Sequence, residues 1–350
     1  MSANQQMTAQ VLRQDNAQGL HLSKEPIQIS HPSEGQVLVK ITHAAQNPTD
    51  VQSLDNKAFG EGAVLGCDFV GEVTEVGRFV QRYNKGDIIA GLIWGGEIKG
   101  LGAYSEYTLA DGRISYPVSG QNISREQAST VPLAAATAWL ALFSKDCLAI
   151  DHEHQKSTDV LIWGGSSSVG LYAIQLATMY GLQVTTTCSP RHADLVRSYG
   201  AQHVFDYKDD KVIEKIQAVA STLSYAFDTI GNATSSPTSS RTFYNGNGTL
   251  CTVRPGKTNT EDVTSGTRVT DVLVWTSFIK DHTYGEFKWP ASKDDHALAA
   301  ELFAKLSSWL EEGALKPSTP RILHGLDAVP QGFQEYRDGK ISAYKIVYAL

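Results

Sequence analysis

Asp159-Val-Leu-Ile-Trp163-Gly-Gly-Ser-Ser-Ser-Val-Gly170 is the stretch on which the fold turns. Asp159 to Trp163 reads as a short apolar strand. Ser168 to Tyr180 follows with Val169, Ala173, Leu176, Ala177 and Tyr180 at helical spacing. A Gly/Ser turn between strand and helix has a defined chemistry. The first amides of a helix have no partner within it, and the helix dipole favours an anion at that end. A pyrophosphate would be held by the amides of Ser166, Ser167, Ser168 and Val169. A GxGxxG pattern ending at Gly170 would place glycine at positions 165, 167 and 170. Ser167 breaks it, which adds a hydroxyl but makes close phosphate approach harder. The same residues would also make a plain turn opening a structural helix.

The sequence beyond this turn favours the phosphate reading. Leu182–Thr187, His203–Phe205 and Tyr225–Ile230 are further strand candidates. Arg191–Tyr199, ended by Gly200, and Asp209–Ala220 are helix candidates between them. Strands alternating with helices predict a parallel sheet wound by helices. Sites for an unphosphorylated dinucleotide carry Asp or Glu at the end of the second strand. Here that place reads Cys188-Ser-Pro-Arg191, with no carboxylate. Ser189, Arg191, Arg197 and Tyr207 would instead receive a 2′-phosphate, so NADPH is expected over NADH. Both arginines are also compatible with simply solvating a helix surface.

The first third differs. Val37, Val39 and Ile41 alternate with Leu38, Lys40 and Thr42. Glycine-bounded runs follow at Gly71–Gly77, Gly86–Gly91 and Ala103–Leu109, predicting closely spaced strands of a small barrel. Val131–Phe143 predicts a buried helix, too short to span a bilayer. Asn232–Ser240 and Arg254–Arg268 read as polar interruptions, the second of a length often reserved for functional or mobile loops. Leu298, Leu302, Leu306, Trp309 and Leu310 share one helix face that Gly313 ends. Lys345–Ala349 reads as a last strand returning to the first domain. Two domains are expected: residues 1–135 with 291–350, and residues 136–290.

Composition narrows the class. The 350 residues are 41% hydrophobic and 19% charged, as in compact globular chains. Thirty Lys and Arg against 37 Asp and Glu give a net charge of −7, which argues against a general nucleic-acid or anionic-membrane binder. Met1–Gln10 is polar and shows no apolar signal segment, so a cytoplasmic protein is expected. Cys67, Cys147, Cys188 and Cys251 form no CxxC pair and are expected to be free buried thiols.

Asn47-Pro-Thr-Asp50, Leu65-Gly-Cys-Asp-Phe-Val-Gly71, Gly86-Asp87, Ala103-Tyr-Ser-Glu-Tyr107, Thr137-Ala-Trp139 and the Gly164–Gly170 loop together resemble the medium-chain dehydrogenase/reductase superfamily. The resemblance covers nearly the whole chain. It implies an α/β protein: a GroES-like β-barrel catalytic domain plus a Rossmann domain with a doubly wound parallel sheet. The places of zinc ligands in zinc-dependent members are taken by Asn47 and by Cys67-Asp68, a poor ligand set, so no zinc is expected. Gly66-Cys-Asp-Phe69, Cys188-Ser-Pro190, Val204-Phe-Asp-Tyr207, Tyr284–Pro290 and Lys345-Ile-Val-Tyr348 are similar to the fungal trans-acting enoyl reductases of polyketide assembly.

Such proteins reduce an α,β-unsaturated thioester on the acyl carrier domain of a separate synthase, and that activity and partner are what the resemblance implies. It also implies that Pro48, Thr49, Asp50, Val51 and Val253 join the cofactor-binding set, and that Ala134, Thr137, Trp275, Phe278 and Ile279 line the substrate site. Asp50 reads as a helix cap rather than a proton donor. No catalytic acid is assigned, and His21, His31 and His43 read as surface or satisfied core residues. Gly91–Gly102, with Trp94, is compatible with a mobile lip or an ordinary hairpin. Lys280, Asp281, His282, Gly285 and Pro290 would blunt a sheet edge, favouring a monomer. A zinc-free reductase of free quinones or enones, and a non-catalytic NADPH-binding partner protein, remain open.

Overall fold

The computed structural model describes residues 5–17, 19–118, 120, 122–152, 158–284 and 287–350. Gly285 and Glu286 of the Tyr284–Pro290 segment lie outside the described residues. The strands are β1 (Gln6–Asp15), β2 (Gly19–Gln28), β3 (Gln36–Ala45), β4 (Asp68–Val76), β5 (Ile88–Leu92), β6 (Tyr107–Asp111), β7 (Ser115–Pro117), β8 (Asp159–Trp163), β9 (Gln183–Cys188), β10 (His203–Asp206), β11 (Tyr225–Asp228), β12 (Gly248–Thr252), β13 (Thr267–Asp271), β14 (His282–Tyr284), β15 (Phe287–Trp289), β16 (Pro320–His324) and β17 (Lys345–Ala349). The helices are α1 (Pro48–Asp55), α2 (Arg125–Ser129), α3 (Pro132–Phe143), α4 (Ser168–Met179), α5 (Ala193–Ser198), α6 (Val212–Val219), α7 (Ser235–Ser240), α8 (Lys293–Glu311) and α9 (Val329–Arg337). The chain divides into two compact units, Met1–Leu133 with Ala300–Gly313 and Pro317–Leu350, and Ala134–Ala299 with Ala314–Lys316.

In the first unit β16-β17-β3-β4-β5-β7 form a sheet, and β6 also pairs β3. The returning tail is as expected: β17 lies antiparallel to β3, Val347 opposite Ala45. Val37, Val39 and Ile41 point into a core with Phe69, Val73, Ile89, Ile346 and Tyr348. Gly71 has no side chain because none fits; a Cβ there would lie 2.2 Å from the Lys40 carbonyl. The expected strand from Ala103 is shorter, because Ala103 and Tyr104 donate instead to the carbonyls of Gly66 and Leu65. Within Gly91–Gly102, residues 91–96 are buried while Ile98 and Lys99 are exposed. Trp94 is buried edge-on against Phe59, with centroids 5.9 Å apart.

The second unit holds six parallel strands in the order β10-β9-β8-β11-β12-β13. This is the doubly wound order, which reverses direction between β8 and β11. Val160 to Trp163 are all buried, as the apolar run requires of a strand covered on both faces. Leu161, Trp163, Ile216, Leu223, Ala226, Phe243 and Leu250 form the core on one side. His282, expected on an exposed edge, is buried instead, because β14 folds onto β15 with His282 opposite Trp289.

One expectation from composition fails instructively. The polar stretch Asn232–Ser240 contains a helix, α7, with five of its six residues buried. Asp228 at the end of β11 makes this possible. One carboxylate oxygen accepts the amides of Ile230 and Gly231 at 2.9 and 3.0 Å; the other accepts the hydroxyls of Ser235 and Ser236 at 2.6 and 2.7 Å. Ser239 and Ser240 satisfy their hydroxyls on carbonyls of the same helix. Buried hydroxyls tolerate an apolar setting when each has an acceptor. Asp228→Ala strands four donors at once, and denaturant titration is expected to show stability lowered by about 3 kcal/mol or more. Asp228→Asn, which keeps one acceptor, should lose less.

Candidate functional site

The Gly164–Gly170 turn sits at the carboxyl end of β8, beside the reversal between β8 and β11, where open parallel sheets bind ligands. Gly164 has φ +84°, and a Cβ on Gly165 would meet Thr186 Oγ1 at 2.1 Å. A Cβ on Gly170 would meet the Gly164 carbonyl at 2.4 Å. These glycines fix a tight turn that brings β8 and α4 together. Ser167, the break in the glycine pattern, is not strained: its φ is −68° and it is the N-cap of α4. Its hydroxyl accepts the Gly170 amide at 2.9 Å and lies 2.8 Å from Thr229 Oγ1, just past β11. Serine thus joins the two strands at the switch point. Ser166, Ser168 and Val169 are half-buried, and helix geometry leaves the amides of Ser168 and Val169 without an intrahelical acceptor. The cradle fits a pyrophosphate.

At the end of β9, Ser189 is half-buried and Arg191 and Arg197 are exposed. Arg191 Nε lies 3.2 Å from His192 Nε2, and Arg197 pairs with Asp194 at 3.1 Å. Tyr207 is exposed, with the Lys208 ammonium 5.7 Å from its ring centre. Reading strand by strand missed Asp206. The register of β10 on β9 sets it level with Cys188, so a carboxylate does stand near this edge. Its Oδ1 accepts the Lys208 amide at 3.0 Å. Burial raises the Cys188 thiol, Arg197 lowers it, and Asp206 raises it in turn. The edge is therefore mixed, with Arg191, Arg197 and Lys208 as its cations.

Val253 donates its amide to the Asp228 carbonyl at 3.1 Å. Its neighbour Arg254, not foreseen, donates Nε to the Gly231 carbonyl at 2.9 Å and Nη2 to that of Ile230 at 3.2 Å. It braces the loop after β11. Ala134 and Thr137 lie one turn apart on α3 and are buried. Trp275 is buried in a tight turn after β13; Phe278 is half-buried and Ile279 exposed.

The first unit holds a separate buried polar cluster. Pro48 opens α1, followed by Thr49, Asp50 and Val51. Asp50 sits three residues after Asn47 and accepts the Asn47 amide on Oδ2 at 2.8 Å, a capping-box contact. Tyr104 donates its hydroxyl to the same oxygen at 2.8 Å, and Cys67 donates Sγ–H to Oδ1 at 3.1 Å. Burial pushes the Asp50 carboxyl up to about 6, against the pull of these three donors. Burial and Asp50 push the Cys67 thiol well above its usual range. A zinc ligand here would be the Cys67 thiolate, and its sulfur is instead engaged as a donor to Asp50. Among the described residues no group of three or more His, Cys, Asp or Glu is placed to hold a metal ion.

Asp68, next to Cys67, is fully buried. It accepts Asn47 Nδ2 at 2.9 Å, the Leu133 amide at 2.7 Å and the Lys345 ammonium at 2.5 Å. Lys345 also donates to the Thr130 carbonyl at 3.1 Å. The only trace of this pair in the sequence is a lysine opening an apolar strand. His43 lies 3.4 Å from Glu126, and burial lowers its pKa.

Asp50 gives a pH test with a definite sign. Its native pKa of about 6 lies above the ordinary 3.8. Between these values the folded chain holds a proton that the unfolded chain has lost, so stability falls as pH rises from 4 to 6. Urea midpoints across that window are expected to carry about 3 kcal/mol of such loss in the native protein. Asp50→Asn should remove that slope; an unchanged slope would mean that Asp50 is ionised throughout.

Residues 33–120 match the alcohol dehydrogenase GroES-like domain and residues 168–284 match the zinc-binding dehydrogenase family. The chain is 31% identical over 323 residues to the trans-enoyl reductase ACTTS2 of Alternaria alternata, covering 90% of this chain and 91% of that protein. It is 30% identical to a zinc-type alcohol dehydrogenase-like protein of Schizosaccharomyces pombe, covering 91% and 93%. The crystal structure of CurK enoyl reductase superposes with a TM-score of 0.75 at 18% identity over 99% of each chain, a likeness of fold. No helix among the described residues is long and apolar enough to cross a membrane. The barrel-type sheet, the six-stranded doubly wound sheet and these matches together make the chain a member of the medium-chain dehydrogenase/reductase superfamily of oxidoreductases.

Proposed function

We propose that this oxidoreductase is an NADPH-dependent, trans-acting enoyl reductase, reducing the α,β-double bond of a polyketide thioester carried on the acyl carrier domain of a separate synthase. The observation that carries the reading is the combination at the β8–β11 switch point. A glycine-serine cradle suited to a pyrophosphate stands beside a β9 edge that offers Ser189, Arg191, Arg197 and Tyr207. The likeness to trans-enoyl reductases along nine-tenths of the chain supplies the reaction class.

When bound, NADPH supplies a hydride to the β-carbon of the substrate. The residues of this chain bind and orient. Amides from Ser166 to Val169 hold the pyrophosphate. Arg191 and Arg197 face the 2′-phosphate, with the Ser189 and Tyr207 hydroxyls beside them. Val253 adds a cofactor contact in the same unit. Ala134 and Thr137 leave room for an acyl chain, while Trp275, Phe278 and Ile279 offer it apolar surface. Negative charge develops on the thioester oxygen, and the α-carbon takes its proton from solvent. Asp50 is committed to three donors within its own unit, so it serves the fold of α1 rather than proton transfer. The enzyme works as a cytoplasmic monomer without zinc.

Two measurements test this. NADPH consumption at 340 nm is expected with an enoyl-pantetheine or carrier-linked enoyl thioester, and at a much lower rate with a quinone at matched concentration. Faster turnover of the quinone would reassign the substrate to free small molecules. NADPH binding without turnover of any acceptor would point to a non-catalytic partner protein. Removing both guanidiniums (Arg191→Ala with Arg197→Ala) should weaken NADPH by about tenfold or more, since a hydrogen bond to a charged group contributes about 1.5–3 kcal/mol. NADH affinity, read by the same fluorescence titration, should stay within a factor of two.

A further inference from the structure

Gly164, with its positive φ, is held from both strands that flank β8. On the β9 side Thr187 Oγ1 accepts the Gly164 amide at 3.2 Å. On the β11 side Thr229, buried one residue past the strand, places its hydroxyl 2.9 Å from the Trp163 carbonyl and 3.0 Å from that of Gly164. A carbonyl can only accept, so the single Thr229 proton is spent on this pair. The Thr229 oxygen is left to accept, and the hydroxyl 2.8 Å from it is that of Ser167. Ser167 Oγ already accepts the Gly170 amide at 2.9 Å, so its own proton goes to Thr229. The direction of donation is thereby fixed: from the Gly170 amide to Ser167, from Ser167 to Thr229, and from Thr229 to the end of β8.

We propose, on the dinucleotide reading of the cradle, that Thr229 is a positioning residue for the cofactor. By taking the Ser167 proton and giving its own to the carbonyls that end β8, it holds the turn in the shape that a pyrophosphate fits. Ser167 then has no proton to offer a phosphate, and the anion is left to the amides at the start of α4. Those amides keep their aim while Ser167 stays at its N-cap geometry, and the atom that fixes the Ser167 hydroxyl belongs to the loop after β11. A chain of hydrogen bonds with one direction also couples its members. Removing either hydroxyl breaks the same chain, so losing the second adds little. The role is confined to the pyrophosphate. On the same reading the 2′-phosphate is met by Ser189, Arg191, Arg197 and Tyr207, which take no part in this chain of bonds.

The test is calorimetric titration of the full chain with NADPH, NADH, ADP-ribose and 2′-AMP, the last of which carries the phosphorylated ribose without a pyrophosphate. Thr229→Val keeps the side-chain shape and deletes the hydroxyl. It should weaken NADPH, NADH and ADP-ribose by a common factor of about three to ten, as expected for one hydrogen bond, and leave 2′-AMP within about a factor of two. Thr229→Ser should restore native affinity. Ser167→Ala should lose the same factor, and joined with Thr229→Val it should lose no more than either alone. Native affinity in Thr229→Val, additive losses in the double variant, or an equal loss for 2′-AMP would overturn the role of Thr229. Thr229→Ala repeats the measurement should the valine variant fold poorly. The native chain judges the underlying reading separately. NADH bound more tightly than NADPH removes the 2′-phosphate assignment and leaves Thr229 to be decided on NADH and ADP-ribose; binding of no dinucleotide removes both.

Discussion

The Asp228 carboxylate is the constraint on which the nucleotide-binding unit depends. It stands at the end of β11, where the doubly wound sheet reverses, and accepts four hydrogen bonds. Two of them shape the backbone at Ile230 and Gly231; two anchor a serine-rich helix that would otherwise bury hydroxyls without partners. Thr229, the next residue, meets Ser167 across the switch point. The turn that cradles an anion and the turn that follows β11 are thus joined through two hydroxyls, above a carboxylate that holds one of them in shape. Arg254 adds a guanidinium over the same loop. A crevice at the switch point needs both of its lips fixed, and here polar side chains fix them.

The first unit handles buried charge in two ways a few residues apart. Asp68 is paired with Lys345, and amides from Asn47 and Leu133 complete its shell. A buried ion pair gains little over an apolar pair, but losing one partner leaves the other charge stranded. The pair therefore constrains more than it stabilises, seating β17 against β4 and the turn before α3. Asp50 has donors and no cation, so burial dominates and its carboxyl rises to about 6. In this chain the same corner is an organic network in which a thiol donates to a carboxylate and an amide donates to a second one. Such a network is satisfied by its own members.

Much of this was legible in the sequence, for a physical reason. β8 and α4 declare themselves because their residues obey one period each, and Gly164, Gly165 and Gly170 in the turn between them have no room for a Cβ, which would lie 2.1–2.6 Å from its neighbours. The tail strand shows itself by apolarity alone. What the sequence concealed were partnerships between particular residues. Asp228 with Ser235 and Ser236 made a helix of a stretch whose composition reads as loop. Lys345 with Asp68 is separated by most of the chain. Asp206 drew level with Cys188 only through the register of β10 on β9. Neither a hydrogen bond between polar side chains nor the register of neighbouring strands leaves a periodicity behind.

Asp206 bears most directly on cofactor choice. A carboxylate at the end of β9 would meet the adenosine ribose and repel a second phosphate there. On β10 it is one strand further from the cradle, and Oδ1 is occupied by the Lys208 amide. Ser189 and the exposed guanidiniums of Arg191 and Arg197 follow directly on β9. Opposing charges near an exposed surface are screened within about 8–10 Å of ordinary salt, so the nearest groups decide. Arg197 shares its charge with Asp194, an exposed pair worth little by itself. A dianionic phosphate competes for that guanidinium more strongly than one carboxylate, because it offers more charge and a bidentate geometry. Under the proposed NADPH reading, the mixed edge discriminates by which cation a ligand can recruit, and a cofactor lacking the 2′-phosphate recruits neither arginine.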